Sequence, residues 1–379
     1  MPTPLPLISV SGSPYDQGFG HGSQIKDLVQ RAIWLWRERV ARVYGVHADI
    51  FIRRFLDTTD YRTAILEYTP DLMEEVEGLA KGADVDFDTM FAFQLMDEVW
   101  MNGQRALSGP AAATAEPEPV ADKCTSLGVN RTKTHATIVA QNMDLEGFRN
   151  GYQVVIRHQP KNDETQQLVL TCAGLIATTG LNSAGLGVCV NALTQLRYEM
   201  QGLPVAFVIR GLLDQPGLQA ACRFAIEVPH ATGQNYLIGD RKQVRMFECS
   251  AGGATEYPGE GDGTLVHTNH PLASSDLTPQ HLAYLDEHPD APPGGANSAT
   301  RLQTASAMLA QRKGSVDCAW VGSILSSSHP ENPICAPYVA VADHHTFGSV
   351  VMALGEDIEL LASAGPPDVN GYHTFRFEP

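Results

Sequence analysis

Near residue 124 the hydrophobic pattern of the chain changes period, and that change constrains the fold more than any single motif. Before it, Ile25, Leu28, Val29, Ala32, Ile33, Leu35 and Trp36 recur at helical spacing, with Lys26, Arg31, Arg37 and Glu38 between them. Ser13-Pro14 supplies an N-cap and a first-turn proline. Segments 71–79 and 87–99 read as further helices. Gly18, Gly20 and Gly22 form a GxGxG pattern. With no strand expected ahead of it, close helix packing explains these small residues better than a phosphate loop. Residues 107–122 are dominated by Ala, Pro and Glu and lack aromatics, which predicts an exposed, flexible segment ending at Lys123-Cys124.

Beyond Cys124, short β-like runs at 136–141, 152–158, 167–173, 175–179, 187–191, 235–239 and 243–248 are separated by Gly, Asn or Asp turns. Spacings this short suit antiparallel strands and exclude βαβ crossovers. Helical patterns return at 205–213, 217–226, 299–312 and 318–326, and strands at 346–353 and 358–364. The expected class is α+β, in layers.

Of 379 residues, 43 are acidic and 26 basic, giving −17 with His neutral. Non-specific nucleic-acid binding needs the opposite excess, as does docking on anionic lipid. The charge is evenly spread, −8 over residues 1–123 and −9 over 124–379. The N-terminus has no basic region and no long apolar run, so no signal peptide is expected, and no run of ~18 apolar residues suggests a membrane span. Seven cysteines, all at or beyond Cys124 and without a CxxC pair, fit a reduced, cytoplasmic protein.

The chemically suggestive residues are Cys124 after its linker, Gln141-Asn142-Met143-Asp144 at a strand end, His267-Thr268-Asn269-His270, and Arg301. Taken singly, each has an ordinary reading: a buried thiol, a turn, a polar loop, a surface cation. Taken in order, DKCTSLGV, AQNMD, GLNSAGLGVCVNAL, HTNH, SATR and the closing FGSVVMALGEDIELLASAGPP resemble the isopenicillin N acyltransferase-like family of cysteine N-terminal nucleophile (Ntn) hydrolases. More distantly they resemble the choloylglycine hydrolases. The opening SGSPYDQGFGHG fits the same family, so the resemblance runs from about residue 9 to about 366.

That resemblance implies a four-layer αββα Ntn-hydrolase sandwich with two stacked, mainly antiparallel sheets and a helical N-terminal segment. It also implies autoproteolysis of the Lys123–Cys124 bond, giving fragments 1–123 and 124–379 that together form one domain. The new N-terminal Cys124 would carry both nucleophile and base. An α-amine with a pKa near ~7.7 is roughly 15% unprotonated at pH 7, far more than a lysine. By the same resemblance, Asp144 would orient that amine, and Asn269, with Asn191 as second donor, would hold the oxyanion. Arg301 would sit near Cys124, where a cation favours thiolate. Gln141 stands where the choloylglycine relatives carry arginine. The best-known acyltransferase has Gly where this chain has Lys123, which puts the ease of cleavage in question.

The expected substrate is a small N-acyl amide, with no cofactor and no metal. Alternatives are an acyl-CoA-dependent amine N-acyltransferase on the same site, a non-catalytic binding relative, and a metal hydrolase built on His267, His270, His344 and His345. A papain-like Cys–His dyad is a subsidiary option. Both a homodimer and a heterodimer of the two fragments stay open. With no cysteine before residue 124, no disulfide can tether the fragments, so apolar burial must hold them together.

Overall fold

A computed structural model describes residues 5–108, 124–161, 165–292, 294–328, 334–341 and 344–378. In chain order, β1 (Leu7–Gly12) precedes seven helices: α1 (Pro14–Gln24), α2 (Lys26–Tyr44), α3 (Ala48–Thr58), α4 (Tyr61–Tyr68), α5 (Pro70–Ala83), α6 (Phe87–Gln94) and α7 (Met96–Ser108). From residue 124 onward come β2 (Thr125–Val129), β3 (Thr137–Glu146), β4 (Gln153–Pro160), β5 (Gln167–Cys172), β6 (Thr179–Asn182) and β7 (Gly187–Ala192). Then follow α8 (Val205–Leu213), α9 (Leu218–Glu227), β8 (Gln234–Gly239), β9 (Val244–Ser250), β10 (Gly253–Glu256) and β11 (Thr264–His267). The chain closes with α10 (Pro279–Glu287), α11 (Gly295–Ala310), α12 (Cys318–Leu325), β12 (His344–Leu354), β13 (Ile358–Ala364), α13 (Pro367–Asn370) and β14 (His373–Phe375).

The strands form an eight-stranded sheet, β1-β4-β5-β6-β7-β8-β9-β10, and a six-stranded sheet, β11-β2-β3-β12-β13-β14. Only the β1–β4 pair among these neighbours is parallel. Alternation along the strands builds three apolar layers. Val139, Val350 and Met352 face Val155, Leu168, Leu237 and Met246 between the sheets. Their neighbours Ile138, Ala140 and Val351 point the other way, onto Ala305, Leu309, Val321 and Ile324 of α11 and α12. On the far side, Val188, Tyr236, Ile238 and Phe247 pack under the helices that hold Trp36, Phe51, Phe93 and Phe207. The result is the expected αββα sandwich.

The start of the chain corrects one expectation. Residues 7–12 form a strand, with Ile8 and Val10 buried and Leu7, Ser9 and Ser11 outward, so a strand does precede the glycine pattern. The glycines nonetheless serve packing. A Cβ on Gly18 or Gly22 would collide with backbone of Glu75 or Leu79 on α5. A Cβ on Gly78 or Gly82 would collide with backbone of Tyr15 or Phe19 on α1. Two helices with four mutually facing glycines can approach backbone to backbone. Ser13 caps α1 in a full capping box with Asp16.

Three further boundaries differ. The 87–99 pattern is two helices broken at Leu95, whose backbone (φ −93°, ψ 50°) leaves the helical region; next to it the Gln94 side-chain amide binds Gly174 O and Ile176 N. The run 175–179 is a turn until Thr179, which opens β6: Gly174 has φ +92° and Leu175 N bonds back to Cys172 O. Of the expected flexible segment 107–122, Leu107 and Ser108 end α7, and the rest lies outside the described residues, as does Lys123.

None of the seven cysteines is in a disulfide. The largest apolar cluster mixes residues from before and after Cys124, as the cysteine distribution requires. Charge pairing joins them as well. Arg39 meets Glu146 at 2.7 Å, and the buried Arg210 meets the buried Glu75 at 2.7 Å. Among the described residues, no helix is long and apolar enough to cross a membrane.

Candidate active site

Cys124 stands one residue ahead of β2, and β2 pairs with β3 so that Thr125 faces Asn142. This register lays the thiol against the end of β3, where Asp144 N donates to Cys124 Sγ at 3.4 Å. Asp144 is 1% exposed. It pairs with Thr346 on β12, beside a register shift between Thr346 and Gly348. Such a bulge bends the strand and re-aims side chains at a sheet end.

Arg301, on α11, ties Cys124 to the asparagine loop. Its side chain is fully buried. One terminal nitrogen donates to Cys124 O at 2.5 Å and to Thr125 Oγ1 at 3.0 Å. The other reaches Asn269 Oδ1 at 3.0 Å, while Nε binds Asn297 Oδ1 at 2.9 Å. A guanidinium spreads its donors over a planar fork and can reach acceptors on opposite sides, whereas a lysine's donors share one nitrogen.

With Oδ1 held by Arg301, the Asn269 amide nitrogen points the other way and donates to Ala192 O at 3.1 Å. Ala192 directly follows Asn191 on β7. Asn191 Oδ1 accepts from Ser126 Oγ at 2.7 Å and from Asn235 Nδ2 at 3.0 Å. Its amide nitrogen is buried with no partner among the described residues. A buried N–H donor without an acceptor costs about 1–3 kcal/mol. It is the feature expected of a group kept in readiness for a developing anion.

All five expected residues are therefore brought together. Cys124 touches Asp144, Arg301 joins Cys124 to Asn269, and Ala192 joins Asn269 to the Asn191 strand end. Gln141 has a different task. Its amide pairs with both the N–H and the carbonyl of Val190 on the other sheet, so it fastens the two sheets below the site.

Two of the four candidate histidines, His267 and His270, are tied into structure. His267 bonds Glu248 at 2.8 Å and Thr268 O at 2.8 Å, and His270 Nδ1 meets Ser298 Oγ at 2.8 Å. Burial pushes His270 down to about 4. Among the described residues, no group of three or more His, Cys, Asp or Glu side chains is placed to hold a metal.

Sequence reasoning missed Ser126, Asn235 and Ser298, which bond the two asparagines, and Glu248, which bonds His267 and the backbone at 272–274. The signal was present for Glu248, an acid in the otherwise apolar run Met246-Phe247-Glu248-Cys249.

Comparison with known proteins gives the site a context. Residues 130–292 match the family model for acyl-coenzyme A:6-aminopenicillanic acid acyl-transferase. A curated relative, the 40 kDa form of acyl-coenzyme A:6-aminopenicillanic-acid-acyltransferase from Emericella nidulans, is 24% identical over 278 residues, 73% of this chain and 72% of that protein. Over these stretches the chain is similar to this acyltransferase family. The matched stretch holds Asp144, Asn191 and Asn269, while Cys124 and Arg301 flank it. Among solved structures, a Caenorhabditis elegans N-acylethanolamine-hydrolyzing acid amidase ortholog is 18% identical, with TM-score 0.44, over 67% of this chain and all of that one. Penicillin V acylase from Agrobacterium tumefaciens is 16% identical, with TM-score 0.42, over 64% of this chain and 82% of that one. A variant of the conjugated bile acid hydrolase from Clostridium perfringens is 15% identical, with TM-score 0.42, over 67% and 97%.

Proposed function

We propose that this acyltransferase relative is an autoproteolytically activated cysteine Ntn enzyme that cleaves a small N-acyl amide through a thioester on Cys124. The observation that carries the reading is the Asn191 amide nitrogen, without a partner among the described residues, near Asn269, both linked through bonded neighbours to Cys124. In the proposed cycle the Lys123–Cys124 bond is first cut. The freed α-amine then takes the thiol proton, and Sγ attacks the amide carbonyl. Asn191 and Asn269 N–H groups hold the oxyanion, and the amine proton passes to the leaving nitrogen. Water then attacks the thioester, returning the thiol and releasing the acid. Buried Asp144 orients the α-amine.

A second reading, transfer of the acyl group from acyl-CoA to an amine, is favoured by the family model and by the Emericella relative's name. It uses the same thioester with an amine as acceptor. A panel of N-acyl amides in water, and of acyl-CoA with an amine, separates the two. Amide hydrolysis that vanishes in Cys124→Ala supports the first reading. Turnover that appears only with acyl-CoA supports the second, and activity surviving in Cys124→Ala overturns both.

A further inference from the structure

One buried carboxylate sits behind the Asn269 loop with all four acceptor positions occupied. Glu248 is fully buried on β9. Its Oε1 accepts from His267 Nε2 at 2.8 Å and Leu272 N at 2.5 Å. Its Oε2 accepts from Ala273 N at 3.0 Å and Ser274 N at 2.6 Å. Three consecutive backbone N–H groups closing on one anion form a nest. Here the anion is a side chain of the protein itself, and the nest follows Asn269 by three residues, while His267 precedes it by two.

The strand register explains why the acid is there. Asn191, Asn235 and Glu248 are successive partners across β7, β8 and β9. On the facing sheet, Gln141, Ser126 and His267 are successive partners across β3, β2 and β11. Cross-sheet bonds join the rows as Ser126–Asn191 and His267–Glu248. One polar layer thus spans both sheets beneath the nucleophile and reaches each proposed oxyanion asparagine by a different route. Burial raises the Glu248 carboxyl, but the His267 bond and the backbone donors outweigh it and hold the group below its ordinary range.

We propose that Glu248, with His267, is a positioning residue that sets the Asn269 amide for the oxyanion by clamping the loop on both sides of it. This rests on the proposed thioester chemistry. A glutamine at 248 has the same shape but only one acceptor oxygen, so its NH₂ would face backbone N–H groups and release one side of the loop.

The test compares wild type, Glu248→Gln and His267→Gln as full-length chains, with rates counted per mole of free N-terminal Cys124. Iodoacetamide alkylation of Cys124 reads the thiolate without needing an oxyanion. For Glu248→Gln, kcat should fall about 100-fold, the loss typical of one oxyanion donor, with KM and alkylation within about twofold. His267→Gln, which keeps the three backbone bonds, should lose about tenfold in kcat with the same unchanged KM and alkylation; it also decides the matter if Glu248→Gln does not fold. Wild-type kcat in either folded variant, or alkylation falling in step with kcat, overturns the positioning role. A wild-type chain with neither amide turnover nor Cys124 alkylation overturns the functional reading itself, and the positioning role with it.

Discussion

Arg301→Met is expected to lower kcat by about 10²–10³-fold while the chain still folds. The substitution keeps apolar bulk in a fully buried position but withdraws the donor from Cys124 O, Thr125 Oγ1 and Asn269 Oδ1 at once. Each orphaned acceptor costs ~1 kcal/mol or more. Without Arg301 to fix Oδ1, the Asn269 amide is free to turn its NH₂ away from the oxyanion, and loss of one such donor is worth ~10²–10³ in rate. Arg301→Lys should recover only a small part, since an ammonium cannot reproduce the fork that spans the Cys124 carbonyl and Asn269. Steady-state kinetics with a thermal melt on each variant check this. A Lys variant with full activity would reduce Arg301 to a simple counter-charge.

The second large effect is acid lability. Burial holds His21 down to about 3, and His230, His270 and His345 down to about 4. In the unfolded chain these groups titrate near ~6.5. Between about pH 4 and 6.5 the unfolded state therefore binds more protons than the folded state. Stability contributed by these histidines is fully present above pH 6.5 and drains away as pH falls toward 4. Each proton taken up adds ~1.4 kcal/mol per pH unit to the slope. Glu98 opposes them. Burial, then the neighbouring Asp97 carboxyl, pushes it up to about 8, so its contribution falls as pH rises from 4.5 to 8. His158 and His281, also lowered by burial, add to the four, and Asp97 and Asp214, raised by burial, join Glu98; six groups against three leave a net loss on acidification. Urea midpoints at pH 7 and pH 5 should differ clearly, with the lower value at pH 5, and His21→Gln should shrink the difference. Equal midpoints contradict the account.

The architecture was legible where burial is one-sided or where caps are explicit. Helix 205–213 and strand 358–364 were read to the residue, because apolar runs there are bounded by Pro204 and Asp214 and by Glu356-Asp357 and Gly365. Strand 7–12 escaped because six residues of alternation ahead of a long helical stretch carry little weight, and it is the parallel pairing with β4 that makes it a strand. The break at Leu95 and the turn at 172–176 both escaped, and they meet through the Gln94 side-chain amide, a tertiary contact that no local pattern shows. In the site, the five residues were found through motifs in fixed order, not through periodicity. Ser126, Asn235 and Glu248 align only after two sheets are stacked in register, and no local pattern in the sequence encodes that stacking.

The central claim is that Cys124 becomes an N-terminus, and the most direct measurement is the intact mass of the purified full-length protein before and after incubation with an acyl donor. The account predicts two polypeptides whose break falls between Lys123 and Cys124, with the acyl mass appearing on the fragment that begins at Cys124. A single chain of 41.0 kDa that turns over the same substrate at full rate would contradict it.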